Sequence, residues 1–143
     1  MSTRMRLHRT DRAGAVGFLA YSSSAIMTPI CLLALMRELQ FTLAGGGGIG
    51  AMRTLMILVV LVASGFAAAR WRMAAVLAAG SIVLALGMFA YAAAPAYAVV
   101  LAAMAAVGLG SGVIEGLVNP LVQQEHPGDS GKYLNIVNAF WSI

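Results

Sequence analysis

The sequence predicts an all-α protein, a polytopic bundle of transmembrane helices. Of its 143 residues, 61% are hydrophobic and 10% are charged, and the mean hydropathy is +0.88. Soluble domains carry about 25% charged residues. No charge occurs in residues 13–36, or in the 42 residues from Met73 to Ile114. Uncharged apolar runs of this length are typical of helices that cross a bilayer.

A proline divides the longest uncharged run into two spans. As one helix, residues 73–114 would be on the order of 60 Å long, about twice the thickness of the hydrocarbon core, so the chain must reverse. Pro95 marks the reversal, because proline lacks an amide donor and disfavours helix in the residue before it. The predicted spans cover about 13–36, 47–69, 73–92 and 97–123, with an incomplete stretch at 133–143.

The segments between the spans are predicted as corners and loops. Charged residues place a corner at Arg37–Gln40, the second span opens within the glycine run Gly45–Gly48, and the polar segment Gln124–Lys132 is a loop containing a solvated His126. The stretch 133–143 rises only about 16 Å as a helix, too little to cross a bilayer. We therefore expect residues 13–143 to be a partial bundle, the first four helices and the start of a fifth.

Basic residues mark one side of this bundle. The N-terminal segment 1–12, the corner at Arg70 and Arg72, and Lys132 hold about seven of the nine lysines and arginines. Positive charge marks the cytoplasmic side, so we predict an integral protein of the plasma (inner) membrane with a cytoplasmic N-terminus. This topology explains the net charge of +4 without a nucleic-acid partner. A signal peptide fits less well, because the run 13–36 exceeds a signal core in length.

Glu115 is the only acidic residue in the apolar part of the chain. Helical spacing places it on one stripe with Gly108, Gly112 and Asn119. A carboxyl group in the bilayer interior is costly and usually faces a protein interior or a water-filled path, where it can carry a proton. The following Pro120 frees a backbone carbonyl near the same place. The alternative is a structural Glu that bonds across helices while the glycines serve packing.

Arg53 is the second charge inside a span. It could hold an anionic or hydroxyl-rich solute, pair with Glu115, or extend its long side chain to the outer surface. Two further sets of polar residues share helical faces. They could line a polar path, although hydroxyls on a transmembrane helix more often bond their own backbone or a neighbouring helix than a substrate. The two sets are Tyr21, Ser24, Thr28 and Cys31 in the first span, and Asn135 and Asn138 in the fifth stretch.

No motif of nucleophilic, zinc-dependent or phosphate-binding catalysis occurs in the sequence. Cys31 is the single cysteine, which excludes an internal disulfide and a cysteine-based metal cluster. We expect no enzymatic activity and no cofactor.

The segment GLGSGVIEGLVNPLVQQEHPGDSGKYLNIVNAF, residues 108–140, resembles the fourth helix, loop and fifth-helix start of the major facilitator superfamily. The likeness is greatest to its fucose, galactose and glucose proton symporter branch. The positions that match the branch pattern are Glu115, Asn119, Pro120, Pro127, Leu134 and Asn135. The resemblance implies that Glu115 takes part in proton coupling and solute binding, and that the chain is the N-terminal part of a twelve-helix transporter.

The corner after the second span resembles the cytoplasmic gating loop of the same superfamily. It keeps Gly65 and Arg70 of that pattern, with Arg72 close by, and lacks its Asp. The resemblance implies that these three residues belong to the loop that gates the cytoplasmic side.

These observations favour a secondary active transporter, a proton-coupled symporter of a small polar solute such as a sugar. The solute, protons and the missing C-terminal part of the transporter are then the partners. One alternative is a four-helix membrane subunit, or a truncated product, that does not transport. Another is a small multidrug exporter, in which the key Glu lies in the first helix; the first span here has no acid.

Overall fold

Residues 8–141, the part of the chain that the computed structural model describes, form five α-helices and no strand. The helices are α1 (Arg9–Leu39), α2 (Leu43–Arg70), α3 (Met73–Ala92), α4 (Tyr97–Glu125) and α5 (Ser130–Ala139). The first four are long and apolar enough to cross a membrane. The prediction of an all-helical, membrane-embedded chain is confirmed. Arg4 and Arg6 of the predicted basic segment, and residues 142–143, lie outside the described residues.

The turn between α1 and α2 is shorter than predicted. Helix α1 continues through Arg37, so the predicted charged corner is helical, and the chain reverses at Gln40 with φ of 54°. Helix α2 begins at Leu43, because Thr42 caps it by accepting a 3.3 Å bond from the amide of Gly45. The glycine run therefore lies inside the helix, and the prediction that the span opens within that run is wrong.

The turn between α3 and α4 lies at Pro95, between Ala92 and Tyr97. The Tyr97 hydroxyl donates a 2.9 Å bond to the carbonyl of Gly45, and its ring packs 5.1 Å from that of Phe41. These contacts join the two turns at this end of the bundle.

Helix α4 is the centre of the bundle, and glycines bring α2 close to it. A Cβ atom added to Gly108 would lie 2.5 Å from the carbonyl oxygen of Arg53, and one added to Gly112 would lie 2.9 Å from that of Ile57. No real side chain fits at such distances. Because lipid tails are as apolar as the helices, close van der Waals packing of this kind is what holds membrane helices together.

The opposite side of α4 meets α3 in the same way. A Cβ on Gly110 would lie 2.5 Å from the carbonyl oxygen of Gly80 and 2.5 Å from the amide nitrogen of Leu84, and one on Gly87 would lie 2.8 Å from the amide of Val107. Helix α1 packs on a third side, where Gly14 and Gly17 face Val118 and Ile114 of α4. The outward faces are apolar: Phe66 and Phe89 are 76% and 75% exposed, as expected for lipid contact.

A buried acid joins the start of α1 to the turn before α5. Asp11 is 1% exposed, accepts a 2.7 Å bond from the amide of His8, and lies 3.0 and 3.1 Å from Nε2 of His126. The His126 ring stacks on Tyr133 at 3.6 Å. The prediction of a solvated His126 is therefore wrong, because a buried carboxylate requires a partner. The predicted loop is also shorter, since only residues 126–129 separate α4 from α5.

The glycine contacts predict a selective loss of stability. We expect Gly110→Ala to lower the free energy of unfolding of the protein by about 1–3 kcal/mol, because the new methyl group meets backbone atoms that cannot rotate away. Gly50→Ala is the matched control, since no atom lies within 4 Å of its Cβ position. Thermal unfolding in detergent measures both changes, and an equal effect of the two variants would contradict the packing.

The buried carboxylate of Asp11 predicts a second loss of stability. Asp11→Ala leaves His126 without its carboxylate partner and the amide of His8 without an acceptor, so we expect about 1–3 kcal/mol of destabilisation. Asp129→Ala is the control at the same end of the bundle, because Asp129 is exposed and its side chain caps no helix. Equal unfolding midpoints for the two variants would show that the Asp11 contacts contribute nothing.

Candidate functional site

Glu115 lies in the middle of α4 and receives a hydrogen bond from α1. The Tyr21 hydroxyl donates to Oε2 of Glu115 at 3.0 Å, and Tyr21 is 8% exposed. Ile114 faces α1 and Gly112 faces α2. Because successive helical residues are separated by about 100°, Glu115 occupies the arc of α4 between those two neighbours. It is half-buried there, rather than packed into the core.

Arg53 of α2 approaches the same tyrosine from the other side. Its guanidinium carbon lies 5.3 Å from the centroid of the Tyr21 ring, a cation–π contact. Its Nη2 atom donates a 3.3 Å bond to Ser24 Oγ, and its buried Nε atom has no partner within residues 8–141. Tyr21, Ser24, Arg53 and Glu115 form what we call the tyrosine-centred site.

Arg53 and Glu115 do not pair directly. The ion pairs that residues 8–141 form within 4.0 Å both involve histidines, His8 with Glu125 and His126 with Asp11. The direct pairing considered for Arg53 is therefore absent, and Tyr21 contacts both residues, Glu115 through its hydroxyl and Arg53 through its ring. The side chain also turns toward α1, which is different from extending along its own helix to the surface.

Two unpaired polar atoms flank Glu115 on α4. The Oδ1 atom of Asn119, one turn on, and the Oγ atom of Ser111, one turn back, are buried without a hydrogen-bond partner in the described part of the chain. Buried polar atoms without partners are rare and costly, and a bound solute or water is one physical reason for retaining them. Sequence reasoning identified Asn119 and missed Ser111.

The other predicted polar residues contribute less. Ser24 and Thr28 donate to backbone carbonyls of their own helix at 2.6 and 3.3 Å, while Cys31 packs against the apolar core. Asn135 is exposed and Asn138 half-buried, and neither side chain takes part in the hydrogen bonds formed among residues 8–141. The tyrosine-centred site thus includes Tyr21 and Ser24 and neither asparagine of α5.

The predicted gating loop forms an exposed corner. Arg70 ends α2 and Arg72 precedes α3, and both side chains are exposed on either side of Trp71. Gly65 lies one turn earlier with open space around it. A groove of about 280 Å³ separates this corner from Gln124 near the end of α4. The two arginines form no ion pair with a carboxylate among residues 8–141.

A cleft of about 570 Å³ lies beside the site but is not lined by Glu115. It separates α1 from α3, and it is lined by apolar residues, by Ser81 and by Arg12 at one end. The described residues contain no group of three His, Cys, Asp or Glu side chains that could hold a metal ion. The tyrosine-centred site lies on α1, α2 and α4 and is partly buried among them.

Comparison with models of known families, with curated proteins and with solved structures finds no match to this chain.

The hydrogen bond from Tyr21 to Glu115 predicts that removing the Tyr21 hydroxyl changes the infrared spectrum of the Glu115 carboxyl group. In Tyr21→Phe the carboxyl group of Glu115 loses its hydrogen-bond donor, so we expect the infrared stretching band of this carboxyl group to shift. The band is the one that disappears in Glu115→Gln. Tyr91→Phe is the matched control, because the buried Tyr91 hydroxyl has no partner among residues 8–141. A band that Tyr21→Phe leaves unmoved, or that both variants move equally, would contradict the bond.

Proposed function

We propose that this chain is the N-terminal part of a secondary active transporter of the major facilitator type, which carries a small polar solute such as a sugar together with protons. The observation that carries the proposal is the bond from Tyr21 to Glu115, with Arg53 on the far side of the same ring. Acidic side chains within membrane-spanning helices mark ion and solute paths by default.

The surroundings of Glu115 suit a proton carrier, because each form of the carboxyl group has a partner within reach. The ionised form accepts the bond from Tyr21 at 3.0 Å. The protonated form gains an O–H donor, and the unpaired Oδ1 atom of Asn119 is an acceptor one helical turn away. A group that is hydrogen-bonded in both states can bind and release a proton without leaving a polar atom unsatisfied.

The position of the site on three helices supports the role of a half-site. In transporters of this kind, solute binds near the midplane between two helical halves, and rocking of one half against the other alternates access. The tyrosine-centred site lies on three helices, with α3 on the other side of α4. On this proposal the C-terminal part of the transporter completes the cavity, the protein lies in the plasma (inner) membrane with a cytoplasmic N-terminus, and Arg70 and Arg72 belong to its cytoplasmic gate.

A second candidate is a membrane subunit without transport activity. The glycine contacts that bring α2 and α3 onto α4 favour it, because such contacts serve helix association whether or not anything is transported. On this reading Glu115 is a structural group whose protonation has no consequence.

Replacing Glu115 by Gln separates the two candidates. In the complete protein we expect Glu115→Gln to abolish accumulation driven by a proton gradient and to leave counterflow exchange intact, because exchange requires solute binding without net proton movement. Glu38→Gln is the control, since Glu38 is exposed near the end of α1. Uptake into proteoliposomes measures both activities, and proton-driven accumulation that survives in Glu115→Gln would overturn the assignment.

A further inference from the structure

Arg53 carries a positive charge that no nearby carboxylate offsets directly. Its contacts are the neutral hydroxyl of Ser24 and the face of the Tyr21 ring, and its Nε atom is buried without a partner among residues 8–141. A cation in the membrane interior is costly unless it is paired. The guanidinium group therefore has unused donors and an unbalanced charge on the face where solute is proposed to bind.

The charge balance of the site depends on Glu115. The titratable or charged members of the site are Tyr21 of α1, Arg53 of α2 and Glu115 of α4. Among residues 8–141, α3 and α5 contribute no hydrogen bond or ion pair to Glu115. When Glu115 is ionised the site carries no net charge, and when Glu115 is protonated it carries one positive charge. Because charges interact strongly away from water, the protonated site attracts an anion more strongly than the ionised one.

The available donors and acceptors indicate the shape of that anion. The planar guanidinium fork matches a carboxylate, with two parallel hydrogen bonds. The free Oδ1 atom of Asn119 and the Oγ atom of Ser111 can accept bonds from hydroxyl groups. The set thus suits a small molecule with one carboxylate and one or more hydroxyls.

We propose that the tyrosine-centred site binds a small hydroxylated monocarboxylate on Arg53, and that the proton on Glu115 supplies the charge balance for its transport. This inference rests on the proposed function and narrows its solute from a polar molecule in general to an anion. One proton is taken up by the Glu115 carboxylate on one side and released on the other, and one anion moves with it. Each cycle therefore carries no net charge, and the membrane potential does not drive it.

The first test is solute-induced stabilisation of the complete protein in detergent. The probes are the anions gluconate, glycerate and lactate, with glucose and glycerol as neutral counterparts. We expect at least one anion to raise the unfolding midpoint, and to raise it more in Glu115→Gln, whose site keeps the positive charge of Arg53. Stabilisation by the neutral probes alone, or by none of the probes, would overturn the proposal.

Substitutions of Arg53 and Glu115 provide the second test. Arg53→Gln should weaken binding of the stabilising anion about tenfold or more, while Arg53→Lys, which keeps the charge and loses the fork, should weaken it less. Glu115→Gln should bind the anion more tightly than the unsubstituted protein, because its site stays positive. Arg37→Gln is the control, since Arg37 lies in the last turn of α1. Binding that Arg53→Gln does not alter would overturn the assignment of Arg53.

Transport assays distinguish failure of this inference from failure of the proposed function. Proton-coupled uptake of a neutral sugar that is insensitive to Arg53→Gln would leave the transporter assignment standing and exclude the anion. Uptake of the stabilising anion that responds to a pH gradient and not to an imposed potential would support both. Absence of proton-coupled uptake of any probe would contradict both.

Discussion

The close contact of α2 and α3 with α4 is the constraint on which the other features depend. Gly108 meets the backbone carbonyl of Arg53 itself, so the contact that joins α2 to α4 also fixes the backbone from which the Arg53 side chain extends. On the other side, Gly110 meets the backbone of Gly80. Two helices held at backbone distance leave α4 with one remaining polar arc, toward α1. Glu115 lies on that arc, where Tyr21 can reach it.

Tyr21 contacts both charged residues of the site, Arg53 and Glu115. A Glu and an Arg in direct contact would neutralise one another and leave little to bind a solute. In this bundle Tyr21 contacts both, because its hydroxyl donates to Glu115 and its ring face attracts Arg53. Each charge is thereby stabilised by a neutral group and keeps unused hydrogen-bonding capacity. On the proposed function, that capacity is available to a proton and to a solute.

Hydropathy and turn residues predicted much of the fold, because the cost of polar backbone in lipid leaves few alternatives to helices. The break at Pro95 was visible for this reason, and so was Glu115 as the one acidic residue in the apolar part of the chain. The bond from Tyr21 was not, since the register of α1 against α4 is set by Gly14 and Gly17 fitting Val118 and Ile114. His126 was misjudged for a similar reason: its partner Asp11 lies at the other end of the described sequence. The local sequence pattern predicts the helices and the charged residues inside them. Which side chains pair across the bundle becomes visible only when the helices are packed.

On the proposed function, Glu115 exchanges a proton while it is embedded in the bundle. Infrared difference spectra of the complete protein in lipid, recorded across a pH titration, test it directly, with Glu115→Gln identifying the band. We expect a protonated-carboxyl band that appears and disappears reversibly with pH and responds to bound solute. A Glu115 band that stays constant across the titration, with or without solute, would contradict it and favour a structural role in a non-transporting subunit.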